Sequence, residues 1–351
     1  MASIKLLGAP EYTAEERKAL IDFVLALRKS HVQEFLARAE LPRSGTKSDL
    51  RDRIQEALEE GHLTHEQLVD LLDTAAPWGK QHVLLYAGPR SNLQLWKDPD
   101  QFREHLNRHR LGKLFNARLP LILPDKLMLS SITHADGSLR VTAVQKREYT
   151  ERTPEHDEAK ETVAGKRISL RAYTHHLSRT LVAFEWDLNA NAAILQITQL
   201  HSDTLYEKVA EEFAGLVGNW LDIRLFSAVD LRPVIRKLHE LEGNGHAEAR
   251  SHGFQYRSLQ GRRVAAHSPS ARDSVLGETV IDHAMDSVGK NMVGHLGNFY
   301  WLAAANGSRP PNPLKGEVPV IIVADKSRVN FPSPNTEDVI RYVLHRVRAL
   351  G

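Results

Sequence analysis

The chain is 351 residues long, with 46 Lys and Arg against 44 Asp and Glu, a formal charge of +2, and 42% hydrophobic residues, the balance of a folded multi-domain protein. It has no cysteine, which excludes disulfides, thiolate zinc sites, iron–sulfur clusters and cysteine nucleophiles and leaves His, Asp and Glu as the available metal ligands. No run approaches the roughly 18 apolar residues that span a bilayer, and the opening stretch has too little apolar length for a secretory signal, so the expectation is an intracellular protein, cytoplasmic or nucleoid/nuclear, with no membrane partner.

Residues 1–76 predict a helical bundle. Three capping boxes stand ahead of apolar runs of helical period: Thr13 with Glu16, Thr46 with Asp49, and Thr64 with Gln67. Between the first two, Ser30 to Ala39 is amphipathic, with Val32, Phe35 and Leu36 on one face, and it ends in the turn signal Leu41-Pro42-Arg43-Ser44-Gly45. From Gln81 the texture changes to extended runs: His82 to Ala87, Leu119 to Leu123, Leu139 to Gln145, Ile168 to Thr174, Leu181 to Leu188 and Ala193 to Gln199. Helices are predicted at Pro99 to Leu106, Leu205 to Trp220 and Leu231 to Leu241. The polar, glycine-rich stretch at Gly243 to Gly253 marks a boundary. Beyond it, strands at Phe254 to Leu259, Phe299 to Ala304 and Val318 to Ala324 precede a last helix from Thr336. The predicted class is α+β: a helical domain at 1–76, then two mixed antiparallel-sheet and helix lobes at 77–242 and 243–351.

The segment His31 to Ala57, HVQEFLARAELPRSGTKSDLRDRIQEA, resembles the SAP motif, a helical hairpin of chromatin and DNA-repair proteins. The matching positions are Val32, Phe35 and Leu36, then Leu41, Ser44-Gly45-Thr46-Lys47, Leu50 and Arg53-Ile54. Gly45 can take the positive φ of the turn, and Thr46 caps a helix whose exposed amides, with Lys47, make a phosphate seat. The resemblance implies contacts to duplex DNA from Arg43, Ser44, Thr46 and Lys47, with Arg51 on the adjoining turn. Charge agrees only locally, since residues 1–76 as a whole hold ten basic and fourteen acidic side chains.

A second basic surface is expected on a strand from Arg167 to His175, whose alternation places Arg167, Ser169, Arg171, Tyr173 and His175 together. Lys146, Arg147, His176 and Arg179 would extend it. Its bland counterpart is a solvated face whose arginines pair with Glu185 or Asp187. The order of parts, helical domain, Trp78 link and basic α+β region, is similar to that of the centromere protein N family, which implies a two-part surface for DNA and histones.

Signatures of chemistry are sparse. Pro124-Asp125 with Glu158-Ala159-Lys160 has the letters of a metal-dependent nuclease, although 155–161 reads as a charged loop rather than a buried strand. His105 and His109 have zinc-site spacing, but Leu106 stands where a metalloprotease carries its Glu. Glu185 and Asp187 share a strand face without an identifiable third ligand. Phosphate-binding and nucleophile-elbow motifs are absent, so no cofactor, metal or catalytic residue is assigned. Arg341, His345 and Arg348 form a basic stripe on the last helix, read as a solvated face. Three readings stay open, in this order: a non-catalytic binder of duplex DNA within a DNA-organising or DNA-guarding assembly, with a protein partner on the C-terminal lobe; a metal-dependent nuclease targeted by the hairpin; and a protein-interaction scaffold.

Overall fold

A computed structural model describes residues 14–351, apart from 76–77, 91–92, 118–122, 136, 162–164, 166, 201–204, 259, 282, 284–291 and 304–311. The chain forms two compact units, one of Met1–Ala76, Leu121–Leu123 and Arg147–Arg179, the other of Pro77–Pro120, Pro124–Lys146 and Thr180–Gly351. The class is α+β, with a helical bundle followed by a large antiparallel sheet and its helices.

In the first unit, α1 (Ala14–Ala26), α2 (Lys29–Arg38), α3 (Lys47–Glu59) and α4 (His65–Ala75) pack around one apolar cluster that includes Leu20, Val24, Val32, Leu36, Leu50, Ile54, Leu68 and Leu72. Each helix contributes residues at helical spacing, so one stripe is buried while the charged positions stay outside. Two of the expected capping boxes are present. Thr46 and Asp49 exchange bonds of 2.7 and 3.2 Å, and Thr64 and Gln67 bonds of 2.8 and 3.2 Å. The box at Thr13 lies outside the described residues.

The second unit is built on a sheet of eleven strands. These are β1 (Gln81–Ala87), β2 (Met128–Ala135), β3 (Ser138–Arg152), β6 (Tyr173–Asp187), β7 (Ala192–Thr198), β8 (Ser227–Ala228), β9 (Ala249–Ser258), β10 (Arg263–His267), β11 (Met292–Trp301), β12 (Val318–Val323) and β13 (Arg328–Phe331). The order is β10-β9-β11-β12-β13-β1-β7-β6-β3-β2, with β8 beside β1. The strands on either side of the expected boundary at 243 thus share one sheet, because β13 and β7 flank β1 in antiparallel register. The outer ends of β3 and β6 belong to the first unit, together with a separate ribbon of β4 (Glu158–Glu161) and β5 (Arg167–Leu170).

Alternation along β1 explains how the helices are shared out. Val83 and Leu85 face one cluster, closed by α8 (Arg232–Gly243) and α9 (Glu337–Leu350) over Phe254, Tyr256, Phe299 and Trp301. Leu84 and Tyr86 face the other, where α5 (Leu93–Lys97), α6 (Pro99–Arg108) and α7 (Tyr206–Val217) cover Val182, Phe184, Trp186 and Leu195. The cover therefore changes sides at β1. Beyond it, on the face opposite α8, Val293, Leu296, Ile321 and Val323 join none of the hydrophobic clusters of the described residues.

Several elements differ from expectation. The sequence reading missed β2, whose Ser130, Ser131, Thr133 and His134 mask its period, β10 and the short β13, and the charged stretch 155–161, expected as a loop, ends in β4, a strand held by backbone pairing with β5. The strand expected at Leu119 to Leu123 falls almost wholly outside the described residues, and Leu123 itself lies in no strand. The single strand expected from Arg167 to His175 is two strands, broken at Arg171 and Ala172. The cause is Asp157, whose carboxylate accepts the Ala172 amide at 3.0 Å and is forked by the Arg152 guanidinium, which draws the backbone out of the ladder.

Candidate nucleic-acid interface

The turn between α2 and α3 is held from inside. Glu40 leaves α2 with φ 58°, and Leu41 donates back to Leu36 at 2.8 Å, closing the helix end. The next three carbonyl groups then all accept side-chain donors. Arg53 binds the carbonyls of Pro42, at 3.1 Å, and Ser44, and Gln33 Nε2 binds that of Arg43 at 2.9 Å. Gly45 follows with φ 133°, where a Cβ would stand 2.8 Å from the Asp49 Cβ, so the capping carboxylate occupies the space a larger residue would need. The Thr46 backbone bond holds the Asp49 pKa below the ordinary value, keeping it ionised and turned inward as a cap.

What remains outward is a short row of donors. Arg43, Ser44, Thr46 and Lys47 are exposed, and among the described residues neither Arg43 nor Lys47 forms a salt bridge. The other arginines of the hairpin are engaged: Arg38 with Glu34 at 2.6 Å, Arg53 with the turn, and Arg51 with Asp22 of α1. Arg51, expected as a DNA contact, therefore joins two helices. Gln33 and Arg53 are the functional positions that sequence reading missed in this role, since nothing in their spacing shows which carbonyls they reach.

The second expected surface is only partly assembled. Arg171 and Tyr173 are exposed, with Tyr173 51% accessible and the Arg152 guanidinium 5.5 Å from its ring centre. Arg152 holds the Asp157 pKa down to about 2, so this pair is internally neutralised. The backbone of Arg167 pairs with Glu161 in the ribbon. Arg147 is half-buried, and its Nε lacks a partner. Arg179 is not part of any outer surface: its side chain is 7% exposed and bonded to Asp73 of α4 at 3.0 Å. Lys146 belongs to the other unit and pairs with Asp125 at 2.9 Å.

The remaining chemical candidates are also engaged. Glu185 does not pair with the arginines of 167–179. It accepts from Arg140 at 3.0 Å and from Arg341 at 2.6 and 3.1 Å, and the two guanidinium groups lie 5.6 and 5.2 Å from the Trp78 ring centre. Asp187 accepts the amides of Asn189 and Ala190 at 2.8 and 2.9 Å. His105 Nε2 lies 2.9 Å from the Trp220 carbonyl. The stripe on α9 is not a solvated face either. Arg341 binds Glu185, and Arg348 donates to the carbonyls of Tyr86, at 3.2 Å, and Ala193, at 2.7 Å, leaving His345 exposed. Among the described residues no three metal-ligating side chains come together, and no helix is long and apolar enough to cross a membrane.

No family model matches the chain, and no curated protein matches it.

Proposed function

We propose that this chain is a non-catalytic binder of duplex DNA that grips backbone phosphates through the turn between α2 and α3, acting in a DNA-organising or DNA-guarding assembly. One observation carries the reading: Arg43 and Lys47 are exposed and, among the described residues, without a salt bridge, on a turn whose Pro42, Arg43 and Ser44 carbonyls are tied down. A rigid turn presents two charges and the amides of a helix N-terminus without first paying to order them. Arg171 and Tyr173, in the same unit, add a weaker contact. The acidic remainder of 1–76 makes binding modest and salt-sensitive.

The test is fluorescence polarisation of labelled duplex DNA at two salt concentrations. Arg43→Glu with Lys47→Glu should abolish binding, and neutral replacements should reduce the salt slope by about 1.8, two contacts at roughly 0.9 each. Undetectable binding at low salt, or binding indifferent to these changes, overturns the reading. Cleavage that depends on Mg²⁺ and is lost in Asp125→Asn or Glu158→Gln would replace it with the nuclease reading. A protein-docking role draws support from one feature: Ile168 and Leu170, two apart on β5, are 44% and 46% exposed. Loss of a cross-linked cellular partner in Ile168→Ser with Leu170→Ser, with DNA binding intact, would favour it.

A further inference from the structure

The face of β9, β10 and β11 that α8 leaves uncovered carries a second set of unsatisfied groups. Arg257 on β9 stands directly opposite Arg263 on β10 and Val293 on β11. Like charges directly opposite across a ladder repel, and among the described residues neither guanidinium forms a salt bridge; Arg257 Nε is buried without an acceptor. His295, the extra residue of a bulge between Gly294 and Leu296, lies 3.5 Å from Asp325. Burial lowers its pKa, Asp325 opposes that, and Arg257 and Arg263 both add to the lowering, which places the two cations in its surroundings.

Along the strands away from this pair the surface becomes amide and then aromatic. Gln255 lies opposite Ala265 and Leu296, and Asn298 lies opposite Gly253 and Ile321, with its Oδ1 buried and unpaired. The His267 ring packs over Gly253, where a Cβ would come within 2.3 Å of Nδ1. The His252 ring lies 5.9 Å from His267 and 5.5 Å from Tyr300, and its Nδ1 also has no partner. Cations, an unpaired amide oxygen, an unpaired ring nitrogen, and rings thus follow one another over four residues of β9, a rise of roughly 13 Å.

We propose that this face binds single-stranded nucleic acid, with Arg257 and Arg263 on a backbone phosphate and Asn298, His252, His267 and Tyr300 receiving the bases. The chemistry favours that ligand over an acidic peptide, because carboxylates would use the arginines and leave the rings and the unpaired amide oxygen idle. It favours a single strand over a duplex, because base edges and faces are available to a sheet only when the bases are unstacked. The proposal is independent of the hairpin, which lies in the other unit.

The experiment uses the full chain and a labelled oligothymidine of about 12 nucleotides, within the range of sheet platforms. Arg257→Gln with Arg263→Gln should weaken binding about tenfold or more and reduce the salt slope by about 0.7, the share of the one phosphate they hold. His267→Ala, at an exposed position, should weaken it several-fold with the salt slope unchanged. Arg263→Gln alone should raise the thermal midpoint or leave it unchanged, which separates lost binding from lost folding. Arg43→Gln with Lys47→Gln, which removes the hairpin's own hold on backbone phosphates, should weaken oligothymidine binding less than the Arg257 and Arg263 pair does. The proposal is overturned if oligothymidine does not bind at low salt, if the arginine pair is dispensable, or if the hairpin variant removes the binding. It is equally overturned if polyglutamate or a duplex of the same length competes as well as the single strand.

Discussion

Asp73 on α4 receives the Arg179 guanidinium of β6 at 3.0 Å, and the arginine is the more deeply buried partner, at 7% exposure against 23%. A cation in that position stabilises the fold and cannot reach a phosphate. Arg179→Ala should therefore lower stability by about 1–3 kcal/mol, leaving the Asp73 carboxylate short of a donor. The salt dependence of duplex binding should not change. Urea denaturation and polarisation on the same variant check both halves.

Gly45→Ala tests the turn. The new methyl group meets the Asp49 side chain at 2.8 Å in a backbone conformation that L residues rarely adopt, so the capping box must open. A loss of about 1–2 kcal/mol is expected, with weaker duplex binding although no charge has changed. Unaltered stability would show that the turn relaxes freely.

His239 sets an acid limit. It is buried beside Tyr256, 2.9 Å from its hydroxyl, and burial holds its pKa near 4 against an ordinary 6.5. The unfolded state thus takes up the proton first as pH falls. Stability from this group is complete above pH 6.5 and is lost on descending toward 4, by about 2 kcal/mol between pH 6.5 and 5. His82, held near 4 by burial and then by Arg328, acts in the same direction. Denaturation at pH 7 and 5 should show the loss, and His239→Gln should remove the part due to His239.

Arg348→Met examines the stripe on α9. Its guanidinium binds two strand carbonyls and burial pulls its pKa down, so removal should cost about 1–3 kcal/mol. Duplex affinity should stay within about twofold of the parent. A selective loss of binding at unchanged stability would return the stripe to the list of DNA contacts.

Local signals carried the helical bundle and little else about partners. The boxes at Thr46 and Thr64 and the apolar stripe of α3 are legible because each is complete within one or two turns. The strands of β1, β6 and β7 are legible from their β-branched and aromatic runs. Their order is not, since the pairing of β1 with β13 depends on residues far apart in the chain. The same distance hides the fate of each arginine: Arg179 and Asp73 are 106 positions apart, and Arg341 and Glu185 are 156 apart. The surface of β9 was readable in principle. Gln255 and Arg257 alternate with the buried Phe254 and Tyr256, but the bulge at His252 breaks the period after one repeat.

The position of β1 also bears on how the molecule is made. Its first residue, Gln81, pairs with Phe331 on one side and Thr198 on the other, so the earliest strand to leave a ribosome must wait for one of the last. Synthesis at about 5–20 residues per second makes that interval on the order of tens of seconds. The bundle of α1 to α4 can collapse within it, and β7 can take its native place beside β1, while the other edge of β1 stays open until β13 is made.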